Sequence, residues 1–359
     1  MLVLIILFAG CNAKTQTQME RDKRMQNSKQ YQDGKFKNPI DVALMAPGST
    51  WKYIKKSFFT KRIDPKPIGD IPLKPVRPED WIKVESGITQ FAWLGHSSIL
   101  IALDGMTLLV DPVLEKRASP FAWFGPKRFH PAPVAADGLP PIDVVLITHD
   151  HYDHLEAPTI KYLSNKAGMF LMPLGIGGLL EKWGVAPEKI VELDWWENQQ
   201  VGSLTLTATP ALHYARRGLF DGDKRLWCSW AIQGNTKKLY ISGDSGYFDE
   251  FKNIGDKLGP FDLTFLKISS YDEMWKQIHM TPEEAIQQHQ DLRAEIMVPL
   301  HWATFDLALH PWYEPIERAL TAARETDVQI ITPFIGQTVY LQGTQEMNAW
   351  WRAVDKPAN

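Results

Sequence analysis

The apolar run from Ile142 to Ile147 passes without a break into Thr148-His-Asp-His-Tyr-Asp-His154, and this junction constrains the chain more than any other segment. A short apolar run rich in branched residues, followed by polar residues, reads as a buried strand. Its end then delivers His149, His151, Asp153 and His154, four metal-ligating side chains within six residues. Three of the ten histidines in the chain fall here, so a loop of unrelated surface histidines is a poor account. Imidazole and carboxylate donors suit zinc and similar borderline divalent ions such as manganese or iron. Their spacing lets one loop serve two adjacent metals, and the pattern reads as a metallohydrolase.

A dinuclear site needs further ligands, expected singly at later strand ends. His213 follows the predicted strand 204–208 in Thr209-Pro-Ala-Leu-His213. Asp244 follows 238–242 in Ser242-Gly-Asp-Ser-Gly246, where glycines permit a tight turn beside a metal. His301 follows 297–300 in Val298-Pro-Leu-His-Trp302. Any one of these is unremarkable alone, but all three share a position directly past an apolar strand. Other predicted strands are 91–94, 98–103, 106–110, 144–147, 227–232, 263–267 and 329–331, with Asp104-Gly105 as a hairpin turn. Helices are predicted near 158–165, 177–183 and 313–324. Thr281-Pro-Glu-Glu284 is a helix start with a capping box. Strands and helices alternate without a glycine-rich phosphate loop. The expected class is α/β, an αββα sandwich of two mixed sheets with outer helices.

The N-terminus carries an address. Residues 2–10 are apolar and end in Ala9-Gly10 before Cys11, the arrangement of a bacterial lipoprotein signal in which the cysteine becomes the lipidated first residue. A cleaved ordinary signal is the alternative. The run is too short to span a bilayer. Residues 12 to about 38 are polar and read as a disordered tether. Residues 51–62 are basic and aromatic without an acid, which suits a helix on an anionic membrane surface or a docking helix packed on the body. Five prolines between Pro65 and Pro78 mark an extended connector. The expected division is 1–11 signal, 12–80 tether, helix and connector, 81–345 catalytic domain and 346–359 tail.

Composition excludes several classes. Two cysteines rule out a disulfide scaffold and a cysteine-rich zinc site. A net charge of −3, with no basic stretch interleaved with aromatics near the site segments, argues against nucleic acid. The 44% hydrophobic content and fourteen tryptophans supply a large core. Oligomeric state is not encoded in any of these features.

The residues resemble the metallo-β-lactamase superfamily, and more closely the branch of N-acylphosphatidylethanolamine-hydrolysing phospholipase D. The resemblance rests on Trp93-Leu-Gly-His96, Asp111-Pro112, Ala118-Ser-Pro120, Gly125-Pro-Lys-Arg128, Leu139-Pro-Pro-Ile-Asp143 and Glu192-Leu-Asp-Trp-Trp196. It continues through Gly243-Asp-Ser-Gly-Tyr247, Gly259-Pro-Phe-Asp-Leu263, His279 with Pro282-Glu-Glu-Ala285, and His301-Trp302 with Thr304-Phe305. It covers roughly residues 85 to 315.

What the resemblance implies is two zinc ions, the first held by His149, His151 and His213. Asp153, His154 and His301 would hold the second, with Asp244 bridging. Two metals can share a water, lower its pKa and clamp a phosphoryl oxygen, which suits attack on a phosphodiester. Asp153 would orient that nucleophile. His279 falls near the scissile phosphate, and its place before a capped helix favours a neutral imidazole; support without a kinetic role is the alternative. Asp111 would brace the histidine loop and His96 would support the ligands from behind. Tyr152, Tyr247 and Tyr271 either line the pocket or pack in the core, and Arg216 either meets phosphate or forms a solvated turn. Ile278 and Arg216 depart from the family pattern.

The implied activity is a zinc-dependent phospholipase D acting on N-acylphosphatidylethanolamine or a related phospholipid. The implied location is the bacterial envelope, lipid-anchored, on the periplasmic side of the outer membrane. An unused signal would instead leave the protein in the periplasm or at the cytoplasmic face of a membrane. Lactone or β-lactam hydrolysis on the same fold, and a metal-binding envelope lipoprotein without activity, are the competing readings.

Overall fold

A computed structural model describes residues 16–45, 52, 55, 61–82, 85, 87–342 and 348–354. The strands in chain order are β1 (Tyr31–Gln32), β2 (Lys35–Phe36), β3 (Gln90–Gly95), β4 (Ser98–Leu103), β5 (Met106–Val110), β6 (Val144–Leu146), β7 (Met169–Pro173) and β8 (Ile190–Leu193). They continue with β9 (Asn198–Val201), β10 (Leu204–Thr209), β11 (Ser229–Gln233), β12 (Lys238–Ile241), β13 (Leu263–Lys267), β14 (Ile296–Leu300), β15 (Gln329–Ile330) and β16 (Thr338–Tyr340). β1 and β2 form a small hairpin. The rest form two seven-stranded sheets, ordered β16-β3-β4-β5-β6-β7-β8 and β15-β14-β13-β12-β11-β10-β9.

Both sheets are mixed. β16 to β5 run antiparallel and β5 to β8 parallel, while β9 to β12 run antiparallel and β12 to β15 parallel. Asp104-Gly105 turns β4 into β5 with positive φ at both residues, the geometry of a two-residue hairpin. Strands covered on both faces read as unbroken apolar runs. Accordingly Phe91, Trp93, Ile99 and Ile101 face the inter-sheet core with Leu206, Trp230, Ile232 and Ile241. The alternating Ala92, Leu94, Leu100 and Ala102 pack outward with Ile160, Leu163 and Leu180 from the helices Ala157–Leu163 and Gly177–Lys182. On the other side, the helices Glu250–Leu258, Pro282–Asp291 and Glu314–Thr326 bury Phe251, Ile254, Ile286, Ile316 and Leu320. The capping box at Thr281 and Glu284 is formed in both directions.

The described residues at both chain ends pack on the body. Helix Gln16–Asn27 and the β1–β2 hairpin lie on the body, with Arg21 paired to Glu181 and buried Glu192 and with Phe36 buried. Composition sees a polar segment with too few apolar residues to fold alone. It does not see carboxylates more than a hundred residues away that give these arginines partners. At the other end, the described residues 348–354 also pack on the body. Trp350 and Trp351 are buried, and Trp350 stacks on Trp302 at 5.3 Å between ring centroids. The proline-rich connector runs extended, bridging Leu73 to Ile335 and burying Ile71 and Val76. Cys11 and the greater part of the basic aromatic segment 51–62 lie outside the described residues.

Candidate metal centre

The loop after β6 is built on Asp111, at the end of β5. One carboxylate oxygen accepts from the Thr148 backbone N–H (2.8 Å), and the other accepts from Thr148 Oγ1 (2.6 Å) and meets His154 Nδ1 (2.7 Å). That fixes the His154 ring so that Nε2 faces inward. His149 Nδ1 lies 3.0 Å from Thr148 Oγ1, which turns its Nε2 towards His151. Behind the loop, buried Asp150 pairs with Arg225 (2.7 Å) and accepts the Arg216 backbone N–H (2.9 Å). Gly243 allows the next strand end to approach, since a Cβ there would lie 2.7 Å from the Thr148 side chain and its φ is +55°.

The second sheet supplies the facing residues. His213 Nε2 is 3.2 Å from His151 Nδ1. Asp244 lies between the two groups of imidazoles. Its Oδ1 is 3.3 Å from His154 Nε2 and 3.1 Å from His301 Nε2, and its Oδ2 is 3.8 Å from His213 Nε2 and 3.7 Å from His279 Nδ1. Asp153 Oδ2 lies 3.0 Å from His96 Nε2 and 3.5 Å from His301 Nε2. The potential donor atoms form overlapping groups: His149, His151 and His213; His149, His154 and Asp244; His96, Asp153, His154 and His301; His213, Asp244 and His279. His96, Asp111 and His301 all adopt positive φ, an uncommon backbone state for such residues that clusters at functional sites.

The electrostatics are those of a cation site. Among the described residues, His151 Nε2, His154 Nε2, His279 Nδ1, His301 Nε2 and Asp244 Oδ1 are buried without a hydrogen-bond partner. Orphaned polar atoms are costly, and several converging on one spot fit a divalent ion, which takes nitrogen and oxygen donors of this kind. Burial works against Asp153 and Asp244, yet the surrounding histidines hold both well below the usual carboxylate range. Burial pushes His149, His213 and His279 well below the ordinary histidine value, so they are neutral and able to donate a lone pair. His154 is pushed the other way: against burial, Asp244 and Asp153 favour its charged form. A cation bound there would take the place of that proton.

The seven residues expected as ligands, together with His96, Asp111 and His279, are therefore in one place. The residues expected at the substrate are more scattered. Tyr152 lies in the metal loop, but its hydroxyl donates to the Arg217 carbonyl and its ring sits 3.9 Å from the Arg217 guanidinium. Arg216 is exposed, its guanidinium turned to the Gly218 carbonyl. The Tyr247 hydroxyl donates to Asp291, away from the cluster. Tyr271 donates to Glu314, stacks on His310 and lines a separate cavity of about 430 Å³ with Arg62, Thr281 and Arg318.

Four contributors escaped the sequence reading. Asp150 was in view inside the motif, but its role depends on Arg225. Tyr214 packs its ring 4.5 Å from that of His151, and burial raises its hydroxyl to about 12. Lys267 ends β13 with a buried, unpartnered ammonium that burial pulls down to about 8, against the raising influence of Asp244 and Asp153. A lysine closing an otherwise apolar strand was the available signal. Asn38, from the N-terminal segment, bonds both the N–H (3.0 Å) and the carbonyl (2.8 Å) of His213. No local pattern announces it.

Comparison with known proteins agrees with this geometry. The family described as beta-lactamase superfamily domain matches residues 106–302. An uncharacterized protein of Mycobacterium tuberculosis is 40% identical, over 91% of this chain and 88% of its own. The N-acyl-phosphatidylethanolamine-hydrolyzing phospholipase D 1 of Caenorhabditis elegans is 37% identical, over 70% of this chain and 76% of its own. Among solved structures, the metallo hydrolase Igni18 of Ignicoccus hospitalis superposes with a TM-score of 0.56 at 21% identity, covering 72% of this chain and all of that one. The chain is a metal-dependent hydrolase of the metallo-β-lactamase superfamily and belongs to its branch containing N-acyl-phosphatidylethanolamine-hydrolyzing phospholipase D.

Proposed function

We propose that the protein is a zinc-dependent phosphodiesterase of phospholipase D type, acting on N-acylphosphatidylethanolamine or a related phospholipid. The observation that carries the reading is the set of buried, partnerless nitrogen and oxygen atoms converging from both sheets. Similarity to the nematode enzyme supports this lipid class as the substrate. In this reading His149, His151 and His213 hold one metal, and Asp153, His154 and His301 hold the other. Asp244 serves both, as its two oxygens facing different histidines favour.

Bound divalent ions would supply Lewis acidity and an ionised water at neutral pH. The chain's own residues do the rest. Asp153, held ionised, orients the nucleophile from beside His96 and His301. His279, neutral and only slightly exposed, offers its N–H to a phosphate oxygen or assists the leaving alcohol through a water. The Lys267 ammonium adds positive potential beneath the cluster, which favours an anionic substrate. Asp111 keeps the His154 ring turned inward.

The reading extends to location: an envelope protein, lipid-anchored at Cys11 and touching the membrane through residues 51–62. No helix among the described residues is long and apolar enough to cross a membrane. The test is hydrolysis of a bacterial phospholipid and N-acylphosphatidylethanolamine panel by zinc-loaded protein, with products identified by mass spectrometry. Phosphatidic acid plus a free head-group alcohol, lost in Asp153→Asn, is the expected result. No turnover of any lipid alongside rapid cleavage of a lactone or simple phosphodiester would overturn it.

A further inference from the structure

Five large apolar side chains stand in water at the tips of two loops whose stems are tied to the metal cluster. Phe121, Trp123 and Phe124 are 52%, 77% and 65% exposed; Leu219 and Phe220 are 79% and 88% exposed. Neither loop is slack. The first is closed at its stem by the Arg117–Lys127 bridge and by backbone bonds from Arg128 to Lys116 (2.9 Å) and from Ala118 to Pro126 (3.1 Å). Buried Arg128 anchors it to the Leu94 carbonyl and lies 5.5 Å from the Phe305 ring, which in turn meets the His96 ring at 5.1 Å. This loop therefore stands on the His96–His301 side of the cluster.

The second loop begins just after His213. Its turn is held by Asp221, which accepts the N–H groups of Arg217 (3.2 Å) and Gly218 (2.6 Å) and pairs with Arg225 (2.8 Å). Arg225 also holds Asp150 of the histidine loop. This loop stands on the His151–His213 side. Two braced loops tied to the two sides of one cluster thus carry exposed apolar tips, phenylalanine and tryptophan on the first, leucine and phenylalanine on the second.

Large apolar groups gathered in water on ordered turns mark an interaction surface. The charge around them selects the partner. Lys116 and Lys127 are exposed beside the first tip, and Arg216 and Lys224 beside the second. Glu115 is the one acid between residues 114 and 128. Apolar tips with cations around their bases match the layering of an anionic bilayer, acyl chains beneath and phosphates above. Tryptophan in particular suits the boundary between the two. A protein partner seated on both tips would cover the site between them, whereas a bilayer would present substrate to it.

We propose that the 121–124 and 219–220 tips insert into the interface of an anionic phospholipid bilayer, so that the metal cluster opens onto the membrane. The proposal takes its sense from the phospholipid reading above, but its test does not depend on turnover. The full chain, carrying Cys11→Ser in every arm so that no acyl anchor contributes, is mixed with vesicles of phosphatidylethanolamine and phosphatidylglycerol, and the bound fraction is measured by sedimentation. Phe121→Ser/Trp123→Ser/Phe124→Ser, Leu219→Ser/Phe220→Ser and their combination are compared with the parent. The expected result is at least a tenfold loss of vesicle partitioning in the combined variant, with smaller losses in each loop alone. Hydrolysis of vesicle-borne lipid should fall in parallel, and cleavage of water-soluble bis(p-nitrophenyl) phosphate should not change.

Unchanged partitioning in the combined variant overturns the proposal. So does an equal fall of soluble and vesicle turnover, which would make the loops part of the site, or a change of oligomeric state by light scattering in lipid-free buffer, which would make them a self-association face. If the parent binds vesicles through these tips but cleaves no lipid, the interface stands and the phospholipase reading fails.

Discussion

The first sheet delivers His149, His151, Asp153 and His154 on a single turn after β6, whereas the second delivers His213, Asp244, Lys267 and His301 one at a time from the ends of four strands. On the first sheet a local device sets the geometry: Asp111 and Thr148 clamp two of the imidazoles directly. On the second sheet the geometry comes from strand order. β10 to β14 are neighbours in sequence along the sheet, so their ends line up on one side of the core. The lesson is that a dense motif is braced by its own neighbours, while a dispersed set is braced by the sheet. The two halves should therefore fail in different ways.

The largest expected effect separates them most sharply. Asp244 faces both groups of histidines, so Asp244→Ala should abolish activity by on the order of 10³-fold or more, as for loss of a central charge-stabilising group. Elemental analysis should show metal lost from both positions, whereas His151→Ala should empty mainly one. Equal metal loss in the two variants would break the distinction. Asp111→Asn keeps the shape but removes the charge behind His154, and a fall of roughly 10–100-fold in metal affinity is expected, measured by competition with a chelator. An undiminished affinity would mean that the dense loop needs no brace.

A smaller effect is expected at Asn38, which ties the N-terminal segment to the His213 backbone. Asn38→Ala leaves the N–H and carbonyl of buried His213 without this partner at a cost of about 1–2 kcal/mol, seen as a lower melting temperature together with a several-fold loss of turnover. Turnover unchanged despite the lower melting temperature would restrict the segment to stability alone.

The smallest is a pH effect behind the second sheet. Burial holds His289, bonded to Thr264 of β13, at about 4. Because its folded value lies below the unfolded value near 6.5, its contribution is whole above pH ~6.5 and is lost progressively as the pH falls towards 4. His289→Asn should flatten the acid limb of the stability curve by on the order of 1 kcal/mol, read by denaturant unfolding at pH 7 and pH 5. An acid limb identical to that of the parent would show that this imidazole carries none of the pH dependence.

Legibility followed the same division. The histidine loop was readable because its four side chains lie within one turn of chain. The later candidate ligands are readable because each follows an apolar strand. β7 and β8 are not among the predicted strands: Met169–Pro173 is a continuous apolar run that periodicity does not separate from a buried helix segment, and Ile190–Leu193 is a four-residue stretch interrupted by Glu192. The strand expected at 227–232 begins only at Ser229, since Trp227 turns its ring inward and donates to the Ala211 carbonyl. Tyr214 carries no spacing signal, and the lysine that closes β13 does not by itself show that its ammonium is buried. Helix Gln16–Asn27 is not legible locally because its partners, Glu181 and Glu192, are remote in sequence.

Local order of residues alone determined that strands would end in side chains of metal-donor type, since donor chemistry and strand patterning are properties of adjacent residues. Only the tertiary structure decided that Asp244 would stand between two groups of histidines, that Asn38 would hold His213, and that two loops with apolar tips would have their stems tied to the same cluster. Those relations depend on which strands become neighbours, and that is settled by burying both sheets against each other.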